Sequence, residues 1–353
     1  MIIDCAHYQD GRRRDEGPVP LQEAAARPAE GGFVWLGLFE PGKEELAEVR
    51  HLFGLHELAV ADALTDHRRP KIESYQDDLR LVILRTAHYD DNEEAVHFGE
   101  IGIFFAPTFV ITVRRGVASE THQARQRLEQ RPDLLAMGSS SVLWAILDEV
   151  VDDYKPVVAG LERDIDDIEA TVFAGTVAPT ERIYSLRSEA TGFYRAVHPL
   201  VAIVDAVERT TVARRLRPYL RDVYDRLLLV EEEVADQRDL LSLVLEANMT
   251  VISVEQAKVG VRQNSTIERL TVLATIFLPL TFITGFFGQN FAWMVDHVDT
   301  LAAFVIFGIG GLAVALVLLS SWLRIRATRT DTPAVAGETT GRNGAARLTP
   351  SGR

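Results

Sequence analysis

Near its C-terminal end the chain places Gly288, Gln289 and Asn290 directly after a long apolar run. A glycine lets backbone carbonyls come close to a neighbour, and Asn and Gln side chains offer neutral amide oxygens. Repeated around a symmetry axis, Gly288 and Asn290 would form a ring of neutral oxygens. Such a ring is too weak to strip water from Mg²⁺, which dehydrates reluctantly. It suits a cation recognised with its hydration shell. The competing reading of the three residues is a helix C-cap, because Gly and Asn are the usual terminators. Upstream, Asn264, Ile267, Thr271, Ala274, Leu278, Thr281, Gly285 and Gly288 step by alternating threes and fours. That is the register by which parallel helices share an axis. Its small and polar members, Thr271, Ala274, Thr281 and Gly285, suit close helix packing or a wetted lumen. No Asp, Glu, His, Lys or Arg occurs between Leu270 and Val295. A proton relay or a carboxylate ring at that depth would need them. Leu270 and Leu278 would be apolar constrictions.

These residues need a helix that crosses a membrane. The run 270–291 is long enough, since ~20 apolar residues at ~1.5 Å each span a ~30 Å hydrocarbon core. After Pro218 there is no proline until Pro279, and the pattern predicts a single helix over about 219–287, roughly 100 Å long. Soluble helices average about three turns, so this length needs a special cause. A stalk that begins in the cytosol, packs against copies of itself and continues into the membrane supplies one. Pro279 is tolerable within it, because neighbouring helices re-satisfy the freed carbonyl. A second membrane helix is expected over 301–323. The connecting loop 292–300 carries Asp296, His297 and Asp299 but no Lys or Arg. Arg262 and Arg269 precede the first span, and Arg324, Arg326 and Arg329 follow the second. The positive-inside rule then puts both termini in the cytosol. The start of the chain does not read as a cleaved signal segment. The stretch 324–353 reads as a basic, disordered tail.

The remainder reads as soluble protein. Residues 1–138 alternate short strands and helices: a strand at 33–38, helices opening at Pro41 and over 56–64, then strands at 71–75, 78–87, 96–105 and 109–114. They contain no Gly-rich phosphate loop, no nucleophile motif and no catalytic constellation, so neither an enzyme nor a catalytic cofactor is expected. From Ser139 the pattern changes to long helices, with boundaries expected at Gly175, Pro179, Pro199 and Pro218. Residues 139–269 form this long-helix region. Leu143, Ile146, Leu147, Val150, Tyr154, Val157, Val158, Leu161 and Ile165 mark one apolar face. The other face carries Asp148, Glu149, Asp152, Asp153, Asp164, Asp166 and Asp167, either a cation-gathering strip or the solvated side of an amphipathic helix. The chain has 353 residues and a formal net charge of −14. That argues against nucleic acid as a partner, which needs basic surface, and agrees with gathering cations. Cys5 is the one cysteine, so there is no disulfide framework and no thiolate metal site.

With these residues in place, the chain resembles the CorA family of divalent-cation transporters over most of its length. The family's hallmark is a Gly-Met-Asn tripeptide ending the first of two C-terminal membrane helices, after a PLTFI segment. Here PLTFI stands at 279–283 and GFFGQNF at 285–291. Weaker matches are GLHELAVAD at 54–62, RPKIE at 69–73, RDVYD at 221–225, and Asn264 at the entry to the membrane helix. The resemblance implies a funnel-shaped homopentamer in the inner membrane, with an α+β cytosolic domain, stalk helices and two C-terminal transmembrane helices. It implies an ion filter at Gly288, Gln289 and Asn290. It implies a path lined by Asn264, Ile267, Leu270, Leu278 and Thr281, with Ile267, Leu270 and Leu278 as its hydrophobic gate. Asp62 and Asp222 match acidic positions where the family binds regulatory divalent ions between neighbouring cytosolic domains; the same two residues also read as an ordinary cap or surface charge. The cargo so implied is Mg²⁺, with Co²⁺ and Ni²⁺ beside it. Gln289 departs from the family's central Met and opens Zn²⁺ as a second reading within the same fold. The rival from another class is a membrane-anchored coiled-coil sensor or scaffold that passes nothing, which the polar seam argues against.

Overall fold

The computed structural model of the chain describes residues 1–321 apart from 16, 27–31, 68, 76–77, 117–120, 211–213, 289–295, 297–299, 312, 315–316 and 319. It divides into two compact units, 1–254 and 255–353.

The first unit is built on a seven-stranded sheet. In chain order its elements are β1 (Ile2–Gln9), β2 (Arg12–Arg13), α1 (Leu21–Ala26), β3 (Gly32–Phe39), α2 (Lys43–Phe53), α3 (Glu57–Ala63), β4 (Lys71–Ser74), β5 (Arg80–Asp90), β6 (Ala95–Ala106) and β7 (Phe109–Gly116). The strand order is β2-β1-β3-β7-β6-β5-β4. Only β3 and β7 pair in parallel, with Val34 opposite Phe109 and Phe39 opposite Arg114. The central strands are apolar almost throughout because both faces are covered. Leu36, Leu38, Leu81, Ile83, Phe104 and Ile111 pack with Leu46, Val49 and Ala59 of α2 and α3. Alternate residues Trp35, Val82, Leu84, Ile101, Ile103 and Val110 pack on the opposite side with the long helices. α2 ends at Gly54, whose φ of 66° lets its N–H reach the Arg50 carbonyl, the usual reason for glycine there. His56 caps α3 by accepting the Leu58 N–H at 3.2 Å.

The helical layer comprises α4 (Thr121–Glu129), α5 (Pro132–Leu135), α6 (Ser139–Phe173), α7 (Thr180–Thr210) and α8 (Arg217–Phe287). α6 buries Val150, Tyr154, Val157, Leu161 and Ile165; α7 buries Ile183, Leu186, Phe193 and Val197; α8 buries Leu220, Val223, Leu227 and Val234. The expected apolar face is therefore the core face of α6. Gly160 is required there: a Cβ at that position would lie 2.4 Å from the Tyr89 ring. The turn between α6 and α7 is tied to α8 by Asn248, which is fully buried. Its Oδ1 accepts the Ala178 N–H at 3.0 Å, and its Nδ2 donates to the Ala178 carbonyl at 3.2 Å and to Thr180 Oγ1 at 3.3 Å.

The expected strands and helices of 33–114 are present within a few residues, and α6 starts at Ser139 as its pattern requires. Some features differ, β2 and α1 among them. Pro199 lies inside α7 and ends nothing; the buried neighbours Ala196, Val197 and Leu200 hold the helix across the missing N–H. β1 was not expected, since Asp4, His7 and Gln9 interrupt its alternation. The short helices α4 and α5 likewise lack a sustained apolar period.

In the second unit α8 continues unbroken from Glu255 to Phe287. Among the described residues it is the one helix long and apolar enough to cross a membrane. Leu301–Ala303 is helical and leads into a π-helical stretch, Phe304–Gly310. The expected second span, 301–323, runs past the described residues.

Candidate functional site

The candidate conduction residues sit on the last third of α8. About 100° of rotation per residue puts Asn264, Ile267, Ala274, Leu278, Thr281 and Gly285 on one stripe. Thr271 falls within the same stripe, and Leu270 lies about 20° beyond its Thr281 edge. No charged side chain interrupts α8 after Arg269. Ile267, Leu270 and Leu278 are 60%, 60% and 76% exposed, so among the described residues these large apolar side chains have little cover.

Each threonine of this segment ties its hydroxyl proton to its own helix. Thr271 donates to the Ile267 carbonyl at 2.8 Å, Thr275 to Thr271 at 2.6 Å, Thr281 to Phe277 at 2.8 Å and Thr284 to Leu280 at 2.8 Å. These back-bonds leave no dangling donor in an apolar surrounding. They also turn the outward side of each Oγ1 into an acceptor only, which suits a hydrated cation and not an anion. Pro279 lies within the helix and cannot supply the N–H that would bond the Thr275 carbonyl.

Helical hydrogen bonding persists to Gly288, whose N–H donates to the Thr284 carbonyl at 3.0 Å. Gly288 is not among the glycines with a left-handed φ. The conformation for which a C-cap selects glycine is thus not adopted at 288. Gln289 and Asn290 lie outside the described residues.

Asp62 and Asp222 are both held by cations of their own chain. Asp62, on α3, accepts from Lys71 Nζ at 2.6 Å, with His67 Nε2 3.9 Å away. Lys71 also donates to Glu73 at 3.0 Å. Bonds from the Tyr75 hydroxyl and from Lys71 hold the Glu73 carboxyl below the usual range. Asp222, on α8, accepts from Arg226 Nε at 3.0 Å and is otherwise largely exposed. An ion bridging these aspartates between subunits would have to compete with Lys71 and Arg226. Lys71 falls within the RPKIE match, beside Arg69, and opens β4.

The acidic side of α6 is only partly a solvated face. Arg226 reaches Asp152 Oδ1 at 2.6 Å and bonds Asp148. Glu149 is buried and paired with Arg127. Asp164 accepts from Tyr89 Oη at 2.9 Å and Arg182 Nη2 at 2.8 Å. Burial nevertheless pushes the Asp164 carboxyl up, against the Tyr89 bond and the charge of Arg182. Much of the strip therefore fastens α6 to α4, α7, α8 and the sheet.

The family model described as CorA-like Mg2+ transporter protein matches residues 30–325. The chain belongs to this family. Among family relatives, it is 29% identical over 268 residues to the protein YfjQ of Bacillus subtilis, which spans 75% of this chain and 80% of YfjQ. It is 26% identical over 269 residues to the cobalt/magnesium transport protein CorA of Thermotoga maritima, 74% of each chain. The solved full-length CmaX protein has the same fold, with a TM-score of 0.63 at 21% identity over 93% of this chain and 98% of CmaX. The family's α+β soluble part and long helix are thus shared by this member, and its relatives' names are those of cation transporters.

Proposed function

We propose that the chain is a channel-type transporter of divalent cations, with Mg²⁺ as the leading cargo and Co²⁺ and Ni²⁺ beside it. The observation that carries this reading is α8. It is one continuous helix of 71 residues whose apolar end is free of charge, exposes its large side chains, and presents threonine oxygens as acceptors. Five copies packed along the stripe would cover Ile267 and Leu278 and enclose a narrow path lined by Asn264, Ile267, Leu270, Leu278 and Thr281. Ile267, Leu270 and Leu278 would gate it by dewetting. Gly288, Gln289 and Asn290 would form the neutral-oxygen filter at the outer mouth, reading the ion with its water.

In this reading residues 1–138 and 139–269 are cytosolic. Residues 270–291 and 301–323 cross the inner membrane, 292–300 form the outer loop, and 324–353 return to the cytosol. Ions bridging Asp62 and Asp222 of neighbouring subunits would hold the assembly closed. Their loss would free Lys71 and Arg226 to recapture the aspartates, shifting the population towards the open form.

Subunit counting on purified protein should give five. Flux of Mg²⁺, Co²⁺ and Zn²⁺ into proteoliposomes should rank Mg²⁺ first and ignore an imposed pH gradient. Zn²⁺ flux that follows the proton gradient would move the assignment to a zinc transporter. No flux of any ion would leave only the anchored scaffold.

A further inference from the structure

A cavity of about 480 Å³ lies in the first unit, away from α8. It opens where the parallel strands β3 and β7 end, the place where sheets with parallel strands commonly hold ligands. Its floor is a row across three neighbouring strands: Arg85 of β5 faces Glu100 of β6, which faces Arg115 of β7. Two guanidiniums thus flank one carboxylate, a row with a formal surplus of one positive charge.

Two members of the row have partners. Arg85 donates to the His67 carbonyl at 2.7 Å and lies over the Phe98 ring at 4.8 Å. Glu100, buried, accepts the His67 N–H at 2.8 Å. Arg115 has none: among the described residues its side chain makes no hydrogen bond and no ion pair, and its Nη1 is shut off from water. Nη1, which water does not reach, is closed to a ligand as well, so the donors Arg115 can offer the cavity are Nε and Nη2, which carry no hydrogen bond among the described residues and are not shut off from water. Glu100 feels the charge of Arg115 but does not bond it.

The remaining walls select the ligand. Phe98, Leu64 and Pro41 are apolar, while Asp66 and Glu40 add carboxylates at the exposed rim. Three carboxylates against two guanidiniums give a repulsion that grows with each negative charge on the ligand, so among anions it is least for a monoanion. A planar monoanion also matches the fork of one free guanidinium. We propose that this cavity binds a small monocarboxylate, its carboxylate on Arg115 and its apolar body along Phe98 and Leu64. The volume accommodates a molecule of metabolite size.

The test uses the full chain in lipid nanodiscs and benzoate as the probe, observed by saturation-transfer NMR against empty nanodiscs. Benzoate should give a saturable signal, and benzyl alcohol, of similar shape but uncharged, none. Arg115→Gln should weaken benzoate binding by about tenfold or more, the effect of losing a charged hydrogen-bond partner. Arg115→Lys, which keeps the charge and loses the fork, should lie between. Inorganic phosphate should displace benzoate only well above the benzoate half-saturation concentration. Equal binding of benzyl alcohol by the unaltered chain would overturn the proposal without recourse to any variant. So would unchanged affinity in Arg115→Gln, or phosphate displacing benzoate at lower concentration than benzoate binds.

Discussion

At the residue scale, buried polar groups give the sharpest expectations. Asn248 satisfies both backbone groups of Ala178, a residue that is itself buried. Asn248→Ala leaves an N–H and a carbonyl without partners, each worth about 1–3 kcal/mol. Denaturant unfolding of the purified chain should therefore show a loss of about 3 kcal/mol, and a loss below the error of extrapolation would contradict the clamp. Glu100 carries a pH signature. Burial pushes its carboxyl above the ordinary range, against the His67 N–H and the charges of His67 and Arg115. The folded chain thus binds more protons than the unfolded one between the ordinary and the raised value. Stability should fall as pH rises through that window. Glu100→Gln should remove that part of the slope in melts recorded across the window, and an unchanged slope would refute the assignment.

At the scale of elements, α8 is where sequence and structure agree most closely. Its extent was legible because nothing between Pro218 and Pro279 breaks a helix, and the charge-free stretch after Arg269 needs no tertiary knowledge to read. The strands β5 to β7 were legible for a related reason: runs such as 81–84 and 101–106 are apolar and bounded by turn residues. Pro199 misled because a proline's cost is local, whereas the packing of Val197 and Leu200 that offsets it is tertiary. The acidic side of α6 misled because a helical wheel separates apolar from charged but does not say which charges meet arginines on another helix. Nor does any local pattern mark Arg85, Glu100 and Arg115, which become neighbours only through strand register. Leu278→Asn wets an apolar constriction and should raise basal Mg²⁺ uptake into proteoliposomes several-fold, whereas unchanged or lower uptake would argue that Leu278 is no gate.

At the scale of the whole molecule, the unit 1–254 is a self-contained α+β body with its own core. Among the described residues, the large side chains of the apolar stretch of α8 find little cover. Lipid on one side and copies of α8 on the other would together cover exposed side chains such as Leu278 and Phe282. The most direct measurement of that account is Mg²⁺ uptake into liposomes containing the purified chain, beside Asn290→Ala and protein-free liposomes. The account predicts uptake well above the protein-free rate for the unaltered chain, and near that rate for Asn290→Ala although the variant still assembles. Uptake no faster than in protein-free liposomes, or unaffected by the substitution, would contradict it.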